Sequence, residues 1–173
     1  MKLANILRSI IFASAAAFLI FNQDHSVQTG LAVVQYVSVA IAFGSAVLYK
    51  LDTSENKLVP IAVPGALAFI IALMAILITP ATPELTLALL TGLIAAFAGG
   101  NAIIEIVLSL SSSKADKLEL RISAVIGLLT ALVFWLGKLD GLNAVGFFSA
   151  YLSVLAVQRA IWLASPKSKE ENA

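Results

Sequence analysis

LTLALLTGLIAAFAGGNAIIEIV, residues 85–107, carries one charged side chain, Glu105, and it sits near the end of the run. A membrane-crossing helix needs about 20 mostly apolar residues, so this stretch reads as one complete span. The residues before it supply a start signal. In TPATPE (79–84), Thr82 is placed to cap a helix, Pro83 to occupy its first position and Glu84 its first turn.

The same pattern recurs along the chain. Six apolar segments are expected: Ile6–Phe21, Leu31–Tyr49, Val59–Thr79, Leu85–Val107, Ile122–Gly137 and Ala144–Ala164. Of the 173 residues, 60% are hydrophobic and 12% charged, against roughly 25% charged in a soluble domain. Composition therefore places the chain among membrane proteins. The polar turns NQDHS (22–26), TPATPE (79–84) and KLDGLN (138–143) group the spans into hairpins of about 6–49, 59–107 and 122–164. The expected fold is all-α, a six-span transmembrane helical bundle built from three repeated helical hairpins. Residues 1–165 form a single membrane domain, and residues 166–173 form a polar cytoplasmic tail. NQDHS makes a poor cleavage site, so the first span reads as a retained anchor. Pro60 and Pro64 fall in the first turns of the third span, where a missing N–H costs little.

Charge gives the orientation. Lys2, Arg8, Lys50, Lys57, Lys114, Lys117, Arg121, Arg159, Lys167 and Lys169 belong to one end of this arrangement, and only Lys138 to the other. The positive-inside bias then places both termini in the cytoplasm of a bacterial cytoplasmic (inner) membrane. Arg8 and Arg121, at the starts of spans one and five, are expected to lift their guanidiniums to the interface. Net charge is only +1, which points to no nucleic-acid partner; the expected partner is the lipid bilayer. The chain has no cysteine, which excludes disulfides and thiol chemistry.

The hairpins resemble one another in sequence. AFGSAVL (42–48), AGGNAII (98–104) and AVQRAIW (156–162) align so that Ser45, Asn101 and Arg159 correspond. Two stretches, ITPATPELTLALLTGLIAAFAGGNAIIEIVLSL (78–110) and LGKLDGLNAVGFFSAYLSVLAVQRAIWLAS (136–165), join an apolar span, a Pro- or Gly-containing turn and a small-residue helix that becomes polar near its end. This pattern resembles the HdeD-like family of bacterial acid-resistance membrane proteins, built from a repeated two-helix unit in a six-span chain. Hairpin one departs from it, with NQDHS in place of the Pro turn. The resemblance implies a role in envelope or acid stress and brings no enzyme chemistry with it.

Three polar residues stand out within the spans. Glu105 lies about 30 Å along its helix from Leu85 at about 1.5 Å per residue, near the basic interface, with Asn101 one turn deeper. Arg159 sits at a similar depth on the sixth span and is expected to reach Glu105 directly or through water. Asn101, Glu105 and Arg159 form a candidate intramembrane polar cluster. It serves either as interhelical glue with one ion pair or as a proton or ion pathway. The glue reading is favoured because the chain places no carboxylate at the bilayer midplane. Gln35 and Gln158 are further polar groups within spans.

Small residues repeat every four positions at Ala40 and Gly44, at Gly92, Ala96 and Gly100, and at Ala156 and Ala160. Such faces let helix backbones approach closely. The second helix of each hairpin is therefore expected at the bundle centre, with these faces packing internally or against another subunit. Phe134, Trp135, Phe147, Phe148 and Tyr151 are expected as an aromatic belt at the outer interface, and Trp162 at the inner one. His25, the sole histidine, and the acids Asp24, Glu84 and Asp140 read as solvated groups of the outer turns. No catalytic, cofactor or metal-binding residues are assigned, because no nucleophile elbow, phosphate loop or zinc spacing occurs. The expected function is that of a non-enzymatic membrane protein of the stress type. The alternatives are an accessory subunit of a larger membrane complex and a small carrier or channel. A homo-oligomer fits either the first reading or the last.

Overall fold

The computed structural model describes residues 2–53, 57–112 and 114–164. They form six helices: α1 (Lys2–Phe21), α2 (Val27–Leu51), α3 (Val63–Leu77), α4 (Pro83–Ser111), α5 (Lys114–Leu136) and α6 (Gly141–Ala164). A short π-helical turn, Leu58–Ala62, leads into α3. With that turn counted in α3, all six are long and apolar enough to cross a membrane. The protein is an all-α, six-span helical bundle. The expected polar tail, 166–173, lies outside the described residues.

Local chemistry accounts for the helix starts. Ser26 and Thr82 adopt extended backbone and accept from the N–H groups of Thr29 and Leu85, at 3.2 and 3.3 Å. Asp140 does the same for Asn143 N–H at 2.8 Å. Each side chain satisfies one of the donors that a helix N-terminus leaves open. In each of the turns α1–α2, α3–α4 and α5–α6, a capping side chain thus starts the second helix of a hairpin.

The packing departs from the grouping suggested by loop length. The closest helix pairs are α4 with α5, α1 with α6 and α2 with α3, whereas the hairpin partners α1–α2, α3–α4 and α5–α6 pack less extensively. Short turns tether α1 to α2 and α3 to α4, but close approach is decided by the side chains between the backbones. At α4–α5, a Cβ added to Gly127 would lie 2.9 Å from the Ala98 carbonyl oxygen and 3.0 Å from Ala102 Cβ. At α2–α3, a Cβ on Gly65 would lie 2.6 Å from Ser45 Cβ. At α1–α6, the Ser9 hydroxyl donates to the Ala156 carbonyl at 3.2 Å. Lipid tails are as apolar as leucine, so helices in a bilayer select partners by such contacts rather than by apolar burial.

The second helices also touch one another, as expected of a central position. A Cβ on Gly30 of α2 would meet Leu90 of α4 and Val145 of α6, each at 2.9 Å. Leu90, Ile94, Ala144, Val145 and Leu152 are fully buried in the main core, and Phe12 meets Phe97 edge to face with ring centroids 6.2 Å apart.

The small-residue faces divide between inside and outside the bundle. Gly100 packs against Leu67, Gly44 against Leu7, Ala40 is half-buried and Ala156 is buried. Gly92, Ala96 and Ala160 are exposed, and a Cβ at Gly92 would meet nothing within 4 Å. Helix α4 meets α3 through Gly100 and α5 through Ala98, Gly99 and Ala102. The face bearing Gly92 and Ala96 is left pointing outward. The aromatic belt is also partly internal: Trp135 and Phe147 are exposed, whereas Phe134, Phe148 and Tyr151 are buried.

Candidate functional site: a buried ion-pair cluster at the basic end

The polar side chains inside the bundle gather toward the end that holds the N-terminus of α1 and the C-terminus of α6. Arg159 Nη2 lies 3.0 Å from Glu105 Oε1, joining α6 to α4. Arg159 Nη1 donates to Asn5 Oδ1 on α1, also at 3.0 Å. The guanidinium sits over the Phe12 ring, 5.7 Å from its centroid. Glu105 is 6% exposed, and the Ser123 hydroxyl of α5 hydrogen-bonds to its carboxylate. One arginine and one glutamate therefore hold four helices, α1, α4, α5 and α6, in register.

Arg8 completes the cluster, contrary to expectation. It does not turn to the interface. It is 9% exposed, close enough to interact electrostatically with both Arg159 and Glu105, and its Nη2 donates to the Pro60 carbonyl at 2.8 Å. The proline spacing explains why. In an α-helix the Pro60 carbonyl would accept from the N–H of residue 64, but Pro64 has none. Arg8 supplies the missing donor and ties α1 to the start of α3. Arg121, at the corresponding place on α5, is exposed.

Asn101 does not join this network through its amide nitrogen. Its Nδ2 donates at 2.7 Å to the Phe97 carbonyl, one turn back on its own helix. The remaining intramembrane amides pin neighbouring helices: Gln35 Nε2 donates to the Ala75 carbonyl at 2.8 Å and Gln158 Nε2 to the Glu119 carbonyl at 3.2 Å. Trp162 Nε1 donates to Asp116 Oδ1 at 3.2 Å, linking α6 to α5.

Sequence reasoning places Arg159 at the depth of Asn101, one turn from Glu105 and within its reach, but does not single out Asn5, Ser123 or the Pro60 carbonyl. The pair Pro60 and Pro64, four residues apart, was the available signal, because that spacing frees a carbonyl inside a helix.

Comparisons of the chain with protein-family models, curated proteins and solved structures returned no match. The helices and their core define the class: a multi-pass integral membrane protein in contact with lipid.

Proposed function

We propose that this chain is a non-enzymatic protein of the bacterial cytoplasmic membrane, of the HdeD-like envelope-stress type, with both termini in the cytoplasm. The observation that carries the non-transporting part is the closed axis. Where α2, α4 and α6 converge, Gly30, Leu90 and Val145 fill the space, backed by the fully buried Ile94, Ala144 and Leu152. Glu105 and Arg159 are bound to each other and to α1, as interhelical glue requires. The sequence pattern of residues 78–110 and 136–165 supports the stress role, and the bias of ten basic residues against one supports the orientation.

Survival in strong acid tests the role. Cells lacking the chain should die faster than their parent and recover when it is restored; equal survival overturns the assignment. Gentle extraction tests the alternative, because stoichiometric co-migration with a larger complex would make this an accessory subunit. Reporter fusions at the C-terminus test orientation, with a periplasmic signal refuting it.

A further inference from the structure

The cluster at the basic end holds more positive charge and more donors than its own residues satisfy. Two guanidiniums, Arg8 and Arg159, face one carboxylate, Glu105. Each guanidinium offers five N–H donors, and among the described residues the acceptors they bond are Glu105 Oε1, Asn5 Oδ1 and the Pro60 carbonyl. Arg159 Nε is buried with no hydrogen-bond partner. An uncompensated charge taken out of water is costly, and a planar guanidinium fork suits a tetrahedral oxyanion.

Asn5 on α1 and Arg159 on α6 are half-buried, so part of the cluster is reachable from outside the bundle. A separate cavity of about 150 Å³, lined by Leu3, Ala4, Leu48, Leu51, Asp52 and Ile61 and by none of Arg8, Arg159 and Asn5, lies against the first turn of α1 and the start of α3. Ala4 lies one turn before Arg8, and Ile61 follows Pro60. The cavity is mostly apolar, suited to a hydrocarbon chain. Lys57 stands nearby, its Nζ 2.6 Å from the Asp52 carbonyl and 4.6 Å from the Tyr49 ring centroid.

We propose that Arg8, Arg159 and Asn5 form a phosphate-binding site, occupied by the headgroup phosphate of a phospholipid in the adjoining leaflet or by free inorganic phosphate. The site is independent of the stress role.

The test uses the full chain purified in a neutral detergent, with thermal unfolding as readout. The probes are phosphatidylglycerol, inorganic phosphate, chloride at matched ionic strength, and diacylglycerol, which lacks the phosphate. A rise in Tm with phosphatidylglycerol alone assigns a lipid headgroup, and a rise with inorganic phosphate assigns the free anion. No rise with either, or an equal rise with chloride or diacylglycerol, overturns the site. Arg8→Gln tests the arginine directly but risks unfolding the bundle. Asn5→Asp keeps the side-chain shape and places a carboxylate against Arg159, supplying the missing negative charge internally. It should fold and bind the responding probe roughly tenfold more weakly or worse. Undiminished binding by this variant would refute the proposal.

Discussion

The two ends of the bundle are held together by different physics. Toward the end away from the N-terminus of α1, α2, α4 and α6 meet through Gly30, Leu90 and Val145, a contact of apolar shape. At the basic end, the helices meet through guanidinium, carboxylate, amide and carbonyl groups. A purely apolar contact between spans competes with equally apolar lipid, so it needs close backbone approach to be selective. A buried polar contact discriminates differently, because the wrong neighbour leaves a donor or charge unsatisfied.

The sharpest way to break this comparison is to remove the carboxylate that faces both arginines. Glu105→Gln should cost about 3–5 kcal/mol, the range for removing one partner of a buried ion pair, measured by reversible unfolding in detergent. The double variant Glu105→Gln with Arg159→Gln should recover much of that loss. A loss under about 1 kcal/mol in the single variant would mean that the pair behaves as a solvated one.

The packing interfaces come next. Gly127→Leu drives a side chain into the Ala98 carbonyl and should cost about 1–3 kcal/mol. The same substitution at Gly92, in open space, should stay within about 0.5 kcal/mol. Equal effects at the two glycines would contradict the orientation of α4. Gln35→Leu removes the bond to the Ala75 carbonyl and should cost about 0.6 kcal/mol, the average for interhelical hydrogen bonds in bilayers.

The smallest effect concerns acid. Asp24, exposed in the turn between α1 and α2, accepts from Thr29 Oγ1 at 2.7 Å and from Ser26 Oγ at 3.0 Å. These bonds, Thr29 first, hold its carboxyl below the ordinary carboxylate value. A value lowered by folding means that the stabilisation is complete above the unfolded value of about 4 and is lost as pH falls through the folded one. Fraying at the start of α2, followed by amide exchange, should therefore increase only in strong acid. Asp24→Asn should show that fraying already at neutral pH. Exchange independent of pH in the native chain would remove Asp24 from any acid response.

The six helices and the Thr82 cap were legible because each follows from local chemistry: apolar length, polar punctuation and one side chain bonding its own backbone. The pairing of Glu105 with Arg159 was legible too, since helical rise puts Arg159 at the depth of Asn101, one turn from Glu105, and a long guanidinium spans that turn. Direction was not. A four-residue spacing puts Gly92, Ala96 and Gly100 on adjoining parts of one helix, yet only the placement of α3 and α5 leaves the first two facing outward and packs the third against Leu67.

The amino-acid sequence by itself determined the class of protein, the number of spans and the segregation of basic residues to one end, because these depend on composition and on order along one dimension. The tertiary structure alone decided that α1 closes against α6, that the tightest partners are not the hairpin partners, and that Arg8 turns inward to Pro60. Those outcomes depend on which backbone can approach which, and on where a proline leaves a carbonyl without its donor.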